Sequence, residues 1–419
     1  MKALISKSEI NGRVAAPPSK SYTIRGLMCA ALARGSSEII NPLNSDDTDA
    51  AGDVLRQVGV DVAKKGDVWQ VGGGYFHEPA EDLFCRDSAA TFRFMTAVSS
   101  LIPGKCRLTT GASLARRPIK PLLEALAQLG VDCHAEGASV VVYGGRLKGG
   151  VAELPGDVSS QFISALLLVA PLAEEGARIR LTTPPESKPY LEMTLDCLGQ
   201  FGIKVKVSED FRQFEVPRQE YSPADYRVEG DWSSASYLLA LGATLGQVEV
   251  TNLNPESLQG DRIVLNLLKD MGARVMVTNN KIVVKKSKLK AITADLSDCI
   301  DLLPTLAVLA AVAEGQSQFT GIGRARLKES NRVLALREGL EAMGIPVSEE
   351  EDRLIITGSV PRGAAIDSRG DHRIAMAFSL LGLGTGGTTI DGAECVAKTY
   401  PGFWDTLKSL GGKVRIDDK

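Results

Sequence analysis

The segment Arg56-Gln-Val-Gly59-Val-Asp-Val62 is the first of six similar stretches, each with an apolar run, a glycine and a β-branched tail. The other five are residues 127–133, 199–205, 269–275, 341–347 and 408–414. Their successive glycines lie 71, 72, 70, 72 and 67 residues apart. A glycine after an apolar run is typical of a helix C-terminus, and the β-branched residues beyond it predict a strand. So regular a period indicates one supersecondary unit built six times.

Each unit also has a recognisable beginning, a polar cluster that precedes a long apolar run. The clusters are Pro18-Ser-Lys-Ser21, Arg86-Asp-Ser88, Asp157-Val-Ser-Ser-Gln161, Asp231-Trp-Ser-Ser234, Asp298-Cys-Ile-Asp301 and Gly370-Asp-His-Arg373. Ser and Asp at these places predict helix N-caps, and the runs they open are apolar nearly all round, which predicts buried helices. Two interpretations remain open. In the first, the six are ordinary capped core helices. In the second, several of their N-termini point at one cleft and bind anions there.

Composition excludes several classes of protein. A chain of 419 residues with a net charge of −3 lacks the basic excess of a nucleic-acid-binding protein. The seven cysteines are scattered without a C-x-x-C pair, which predicts reduced thiols and a cytoplasmic location. No run approaches the length of a membrane span. The three histidines lack metal-ligand spacing, and no phosphate-loop or dinucleotide fingerprint is present, so we expect neither metal nor cofactor.

The candidate chemistry lies in cationic residues at the helix beginnings. Lys20 and Arg25 crowd the first helix N-terminus, where positive charge opposes the helix dipole unless an anion lies between them. Lys328 and Arg332 are four residues apart and would share a helical face, with Glu329 turned away from it. A surface ladder of ion pairs explains that spacing almost as well. Together the motifs predict a site rich in Lys and Arg, with few carboxylates, for small anionic substrates.

Seven motifs, spread along the chain, are similar to those of a known family. Pro18-Ser-Lys-Ser-Tyr-Thr-Ile-Arg25, Val158-Ser-Ser-Gln161, Ser187-Lys-Pro-Tyr190, Leu327-Lys-Glu-Ser-Asn-Arg332 and Asp371-His-Arg-Ile-Ala-Met376 resemble motifs of the 5-enolpyruvylshikimate-3-phosphate (EPSP) synthases. Glu229-Gly-Asp-Trp-Ser-Ser-Ala-Ser236 and Ala397-Lys-Thr-Tyr-Pro401 add to the resemblance, which covers essentially the whole chain in order.

The resemblance implies an α/β fold, a two-domain inside-out α/β barrel of six repeats with buried helices and mixed sheets outside. With the repeat pattern, it places residues 1–18 plus 231–419 in one domain and 19–230 in the other, with the active site in the cleft between them. The implied reaction transfers enolpyruvyl from phosphoenolpyruvate to the 5-hydroxyl of shikimate 3-phosphate and releases phosphate. It proceeds by addition and elimination through a tetrahedral intermediate, without a cofactor, in a monomer that binds neither nucleic acid nor membrane.

Residue roles are carried over motif by motif. The residues implied to bind shikimate 3-phosphate are Lys20, Ser21, Arg25, Ser159, Ser160, Gln161, Ser187, Tyr190, Asp301 and Lys328. Those implied to bind phosphoenolpyruvate are Lys20, Ala89, Arg117, Gln161, Arg332, Arg373 and Lys398. Asp301, at the opening of the fifth helix, would be the base for the shikimate hydroxyl. Glu329 and Lys20 would carry the remaining proton transfers, and their division is left open.

The chain departs from the family pattern at a few positions. Asp87 stands where the family has Asn, and a carboxylate there would need a partner such as Arg86 or Arg93. Ala89 stands where the family has Gly. This departure resembles the glyphosate-tolerant class of the family and implies weak binding of the inhibitor glyphosate. Ala90 and Arg324 also depart from the family pattern. The alternatives are UDP-N-acetylglucosamine enolpyruvyltransferase, which carries a reactive Cys that the 109–116 loop lacks, and a non-catalytic phospho-acid binding protein.

Overall fold

The computed structural model describes residues 1–278 and 281–417. The chain forms two compact units. One combines Met1–Pro17 with Glu229–Lys419 and is called here the discontinuous unit; the other is Pro18–Val228, the continuous unit. Within the described residues, no helix is both long and apolar enough to cross a membrane.

Helices in the described part of the chain fall into two kinds, those buried along almost their whole length and those with a partly exposed face. They are α1 Lys20–Leu32, α2 Asp46–Gln57, α3 Ala89–Val98, α4 Lys120–Gln128, α5 Ser160–Val169, α6 Lys188–Gln200, α7 Trp232–Leu245, α8 Val264–Asp270, α9 Leu303–Val312, α10 Arg332–Ala342, α11 His372–Thr385 and α12 Phe403–Ser409. Short 3-10 turns precede or follow several of them. They are Ser99–Leu101, Ala170–Leu172, Gly260–Ile263, Ile300–Leu302, Gly323–Leu327 and Ala393–Lys398.

Strands alternate with these helices throughout. They are β1 Lys2–Ser6, β2 Ile10–Ala15, β3 Gly35–Ile40, β4 Asp61–Lys65, β5 Val68–Gly73, β6 Leu83–Phe84, β7 Gly104–Thr109, β8 Asp132–Glu136, β9 Ser139–Gly144, β10 Gly150–Leu154, β11 Ala177–Leu181 and β12 Lys206–Val207. The second half adds β13 Gln213–Val216, β14 Asp225–Arg227, β15 Gly246–Thr251, β16 Arg274–Thr278, β17 Lys281–Lys285, β18 Thr293–Asp295, β19 Gln316–Thr320, β20 Val347–Glu349, β21 Arg353–Thr357, β22 Ala365–Asp367, β23 Thr388–Asp391 and β24 Lys413–Asp417.

All six four-stranded sheets formed by the described residues have the same topology. In β10-β11-β13-β12, the first pair is parallel and the other two pairs are antiparallel. The same pattern holds in β14-β3-β5-β4, β6-β7-β9-β8, β2-β15-β17-β16, β18-β19-β21-β20 and β22-β23-β1-β24. In four of the sheets the parallel pair encloses a buried helix as its crossover, α3, α5, α9 or α11, as a βαβ connection requires. In the other two, β3 and β15 pair in parallel with β14 and β2, which come from distant parts of the chain. The six-fold repetition predicted from the glycine period is therefore present in the sheets.

Strands distant in sequence close each unit. β1 lies between β23 and β24, and β2 pairs in parallel with β15, so the N-terminus completes two sheets of the discontinuous unit. β14, at the end of the continuous unit, pairs in parallel with β3 at its beginning. The chain thus passes from one unit to the other after Pro17 and again after Val228.

The six repeat glycines follow the ends of the six partly exposed helices, as predicted. Gly59, Gly130, Gly202, Gly272, Gly344 and Gly411 all have φ between +82° and +100°, a region in which a Cβ is strained. In the first repeat, the Gly59 N–H donates to the Arg56 carbonyl and the Val60 N–H to the Leu55 carbonyl. This pair of bonds is the Schellman motif, and the other five helices end with the same pair.

The buried helices α1, α3 and α5 form the core of the continuous unit, and α7, α9 and α11 that of the discontinuous unit. Ser19, Ser88, Ser159, Asp231 and Asp371 are N-caps, as predicted. The fifth helix differs from its prediction. Asp301 lies in the 3-10 turn Ile300–Leu302, and α9 begins at Leu303 with Pro304 in its first turn, where proline is well tolerated.

Candidate functional site

Lys20, the first residue of α1, is paired with a buried carboxylate. Its Nζ donates to Asp47 Oδ2 at 2.9 Å, and the side chains are 19% and 2% exposed. Asp47 belongs to the first turn of α2, where a helix dipole favours negative charge. The conflict between a cation and the N-terminus of α1 is therefore relieved in part by a carboxylate from the neighbouring helix.

Arg25 is buried one turn further along α1, and its hydrogen bonds all go to uncharged oxygens. Its Nε donates to Thr194 Oγ1 at 2.8 Å, and its two Nη groups donate to the carbonyls of Ser21 and Tyr190 at 3.1 and 3.2 Å. Burial lowers the pKa of this guanidinium, because its charge is poorly solvated. An anion at this position would meet a cation that the described residues do not neutralise.

Arg93 connects the N-terminal end of α5 to α3. One Nη donates to Gln161 Oε1 at 2.7 Å and to Ser159 Oγ at 3.2 Å, and the other to the Pro118 carbonyl at 3.4 Å. Its guanidinium also lies 4.9 Å from the centre of the Phe162 ring. Arg93 thus holds two predicted site residues in place beside the turn that carries Arg117.

The loop before Arg117 is held by Asp87. The Asp87 carboxylate accepts from Ser113 Oγ at 2.7 Å and from the Leu114 N–H at 3.0 Å. A Cβ on Gly111 would lie 2.4 Å from Asp87, so the close approach requires glycine there. Arg86, one of the partners suggested for Asp87, pairs with Asp46 and Asp53.

The remaining predicted residues of the continuous unit lie at helix beginnings. Ala89 and Ser160 are the first residues of α3 and α5, and both are buried. Ser187 caps α6 with φ +55°, a strained conformation for a residue other than glycine. Tyr190 lies in the first turn of the same helix, with its ring 5.8 Å from the Arg25 guanidinium. The N-termini of α1, α3, α5 and α6 therefore carry most of the predicted residues of this unit. Arg25 lies one turn further along α1, and Arg117 lies in the turn before α4, where its N–H donates to the Leu114 carbonyl at 2.9 Å.

A second group of charges occupies the discontinuous unit and is centred on Arg332, which is 1% exposed. Arg332 donates to Asp301 Oδ1 at 2.8 Å, to Glu329 Oε2 at 2.6 Å and to Asp371 Oδ2 at 2.8 Å. Burial alone disfavours its charge, yet the three carboxylates outweigh that effect and hold the pKa of Arg332 above its ordinary value. We call the following set the Arg332 cluster: Asp301, Lys328, Glu329, Arg332, Asp371, Arg373 and Lys398.

Asp301 is surrounded by cations. Arg332 lies 2.8 Å, Lys328 Nζ 3.3 Å and Arg373 3.4 Å from its carboxylate oxygens. Burial opposes ionisation, but the three cations hold the pKa of Asp301 well below its ordinary value. The carboxylate is therefore ionised and able to accept a proton, although its basicity is low.

Lys328 and Glu329 reach the cluster from a turn and not from a helix, so the predicted shared helical face is wrong. Asn331 caps α10 by accepting from the Leu334 N–H at 3.1 Å, and the helix begins only at Arg332. Glu329 lies 2.6 Å from Arg332 and 3.9 Å from Lys398 Nζ. Burial lowers the pKa of Lys328.

The Arg332 cluster holds more carboxylate than the sequence indicated. Four cations face three carboxylates, where few carboxylates were expected. Asp371 belongs to one of the family motifs but was not predicted to be a site residue. It is fully buried and accepts from Arg332, Ser330 and the Arg373 N–H. Asp47 and Arg93 were also missed as site residues. The acidic first turn of α2 was a usable signal for Asp47, whereas Arg93 lies inside an apolar run.

The chain is similar to known proteins over nearly its whole length. The family model described as EPSP synthase (3-phosphoshikimate 1-carboxyvinyltransferase) matches residues 5–407. A 3-phosphoshikimate 1-carboxyvinyltransferase of Dehalococcoides mccartyi is 53% identical over 419 residues, covering 100% of both chains. That of Methanocaldococcus jannaschii is 39% identical over 426 residues, covering 99% of each.

This chain belongs to the EPSP synthase family. Among solved structures, EPSP synthase from Acinetobacter baumannii superposes with a TM-score of 0.83 at 28% identity, covering 99% of this chain and 100% of the other. The enolpyruvyl transferase NikO from Streptomyces tendae has a TM-score of 0.80 at 20% identity, which shows the fold alone. The predicted inside-out α/β fold is confirmed. Among the described residues, no three His, Cys, Asp or Glu side chains are grouped so as to hold a metal ion.

Proposed function

We propose that this enzyme transfers the enolpyruvyl group of phosphoenolpyruvate to the 5-hydroxyl of shikimate 3-phosphate, giving 5-enolpyruvylshikimate 3-phosphate and phosphate. The family to which the chain belongs supports the reaction. Both substrates carry phosphate and carboxylate groups, and the buried Arg25 and the cations of the Arg332 cluster are the chemistry that such anions require. Charge-assisted hydrogen bonds of this kind contribute about 1.5–3 kcal/mol each.

Shikimate 3-phosphate is assigned to the first group of residues. Arg25 supplies a cation whose own bonds go to neutral oxygens, and α5 and α6 present N-terminal turns, which favour phosphate. The contributing residues are Lys20, Ser21, Arg25, Ser159, Ser160, Gln161, Ser187 and Tyr190, with Asp301 and Lys328. Phosphoenolpyruvate is assigned to Lys20, Ala89, Arg117, Gln161, Arg332, Arg373 and Lys398.

Asp301 is proposed as the base that removes the proton of the 5-hydroxyl as its oxygen bonds to C2 of phosphoenolpyruvate. Its low basicity means that orientation must supply much of the rate, and three cations fix its position. Glu329, between Arg332 and Lys398, is proposed to move the proton on and off the methylene carbon. Lys20 stabilises the charge on the departing phosphate.

Phosphate release tests the reaction directly. The full-length enzyme should release phosphate from phosphoenolpyruvate only when shikimate 3-phosphate is added, and NMR should show the enolpyruvyl ether. UDP-N-acetylglucosamine should not replace shikimate 3-phosphate. Release with the nucleotide sugar alone would favour the alternative transferase, and binding of both acids without any release would favour a binding protein.

The assignment of Arg25 is tested separately. Arg25→Gln should raise the KM for shikimate 3-phosphate at least about 10-fold, since one charge-assisted bond is worth about 1.5–3 kcal/mol, and leave the KM for phosphoenolpyruvate nearly unchanged. Arg353, whose side chain is 41% exposed and pairs with Glu350, provides the control variant Arg353→Gln. An equal rise in both KM values would refute a role specific to shikimate 3-phosphate.

A further inference from the structure

The loop that carries Arg117 lies beside the segment that leads into α3. Strands β6 and β7 pair in parallel. Beyond their ends the two segments stay side by side, and the Gly111 N–H donates to the Arg86 carbonyl at 2.8 Å. This pairing brings the loop next to Asp87, to which none of the assignments above gives a role.

Asp87 fastens the middle of this loop. One oxygen of its carboxylate, Oδ1, accepts from Ser113 Oγ at 2.7 Å and from the Leu114 N–H at 3.0 Å. Leu114 is 2% exposed and packs into the core of the continuous unit. Removing the carboxylate would therefore take an acceptor from the backbone N–H of a buried residue, which is costly.

Leu114 in turn holds the backbone of Arg117. Its carbonyl accepts from the Arg117 N–H at 2.9 Å, which closes a tight turn. On the other side, the Pro118 carbonyl accepts from Arg93 at 3.4 Å. Arg117 thus lies between two backbone anchors, one of which depends on Asp87 and the other on Arg93.

Asp87 itself belongs to a well-fixed part of the unit. The preceding residue, Arg86, has φ +50°, a strained conformation for a residue other than glycine. Its guanidinium donates to the carboxylates of Asp46 and Asp53 in α2, both at 2.6 Å. The following residue, Ser88, is the N-cap of α3. Two ion pairs and a helix cap therefore fix the backbone on both sides of the carboxylate.

We propose that Asp87 is a positioning residue that holds Arg117 where it binds phosphoenolpyruvate, an inference that rests on the proposed function. An ionised carboxylate in direct contact with this anion would repel it. The two hydrogen bonds direct the carboxylate to the loop instead, and through Leu114 they fix the backbone from which the Arg117 side chain extends. A released loop would place the guanidinium correctly in only a fraction of the molecules, and the affinity for phosphoenolpyruvate would fall by that fraction.

A double-mutant cycle measures whether Asp87 acts through Arg117. Asp87→Ala should raise the KM for phosphoenolpyruvate about 3- to 10-fold, as correct placement in about 10–30% of the molecules predicts. Both kcat and the KM for shikimate 3-phosphate should stay within about 2-fold of wild type, because saturation with phosphoenolpyruvate selects the correct placement. Arg117→Gln should raise the KM for phosphoenolpyruvate at least about 10-fold, and adding Asp87→Ala to it should cause little further rise.

Three other variants separate the hydrogen bonds from the fold of the unit. Asp87→Asn keeps an oxygen that can accept both bonds, so its KM for phosphoenolpyruvate should be within about 2-fold of wild type. Ser113→Ala removes one bond and should raise that KM about 2- to 3-fold, with no effect in the Arg117→Gln background. The matched control is Asp82→Ala, which removes an exposed carboxylate that pairs with Arg107 at 2.8 Å and should leave the KM unchanged.

Trypsin reports on the loop without any turnover. Arg116 is exposed within the loop, and cleavage after it requires local opening of the backbone. With digestion followed by mass spectrometry, Asp87→Ala should be cut at this bond at least about 3-fold faster than wild type, because proteolysis follows the population of the open form. Asp87→Asn and Asp82→Ala should be cut at the wild-type rate. Unchanged cleavage elsewhere in the chain shows that the variant is folded.

Several outcomes would overturn the proposal. If Asp87→Ala raises the KM by the same factor with and without Arg117, Asp87 acts independently of that residue. A lower kcat with unchanged KM values, or an Asp87→Asn enzyme as impaired as Asp87→Ala, would show that the hydrogen bonds do not set the binding of phosphoenolpyruvate. If Asp87→Ala does not fold, equal KM values for Ser113→Ala and wild type decide against the proposal. A wild-type enzyme that makes no product refutes the proposed function, whereas active enzymes that trypsin cuts at equal rates refute the role of Asp87 alone.

Discussion

Replacing Arg332 should destabilise the discontinuous unit far more than replacing an exposed arginine. Arg332 is 1% exposed and bonds to Asp301, Glu329 and Asp371 at 2.6–2.8 Å. Arg332→Gln leaves three buried carboxylates without this counter-charge. Removing one partner of a buried ion pair costs about 3–5 kcal/mol. At a urea m value of about 3 kcal/mol/M, the midpoint of unfolding should fall by about 1–1.7 M.

Tryptophan fluorescence can report on this unit alone. Trp232 and Trp404 are buried in the discontinuous unit, and Trp69, the third tryptophan of the chain, is buried in the other. In a Trp69→Phe background, urea unfolding followed by fluorescence therefore measures the unit that contains Arg332. The control is Arg353→Gln, which breaks an exposed pair with Glu350 and should cost about 0.2–1 kcal/mol.

The loss should also depend on pH. The pKa of Asp301 is lower in the folded than in the unfolded chain, so its stabilising effect is fully present above the unfolded pKa and is lost as the pH falls through the folded value. The difference between wild type and Arg332→Gln should therefore be complete at pH 7 and smaller below about pH 4. Equal costs for the Arg332 and Arg353 variants at pH 7 would refute the reasoning, as would a difference that grows on acidification.

Three further predictions concern catalysis and inhibition. Asp301→Asn should bind both substrates but turn over at least about 10²-fold more slowly, measured by phosphate release with Asp295→Asn as the exposed control. Arg373→Ala and Lys398→Ala should each raise the KM for phosphoenolpyruvate, because these cations bind the ground state as well as the transition state. Ala89→Gly should lower the inhibition constant of glyphosate about 5- to 150-fold, with little change in KM. The reason is that the Ala89 methyl group is expected to clash with the bound inhibitor, and such overpacking costs about 1–3 kcal/mol.

Each of these has a result that would contradict it. Near-normal turnover in Asp301→Asn removes that residue from the mechanism, and unchanged KM values in both cation variants place the donor elsewhere. For glyphosate, the matched control is Ala90→Gly, equally buried in the first turn of the same helix. If it sensitises the enzyme as much as Ala89→Gly does, or if neither does, the steric explanation of tolerance fails.

The repeat architecture could be predicted from the sequence because helix ends and strands depend on residues that are close together in the chain. Only glycine adopts a φ near +90° at low energetic cost, so Gly59 and its five counterparts indicated where the helices end. The β-branched tails indicated the strands that follow. N-caps were equally local: Ser19, Ser159 and Asp371 were predicted and found. The family motifs, recognised in order along the chain, added the reaction and the candidate residues.

Tertiary structure alone decided which charges meet. Arg332 and Asp371 are separated by 39 positions, and Lys20 and Asp47 by 27, so no spacing rule connects them. The helical face proposed for Lys328 was wrong because Asn331 starts α10 later, and a turn brings Lys328 and Glu329 to Asp301 and Arg332. Periodicity and capping depend on residues a few positions apart, so they can be predicted from the sequence. The burial and pairing of charges depend on contacts between distant segments, and these exist only once the helices have packed.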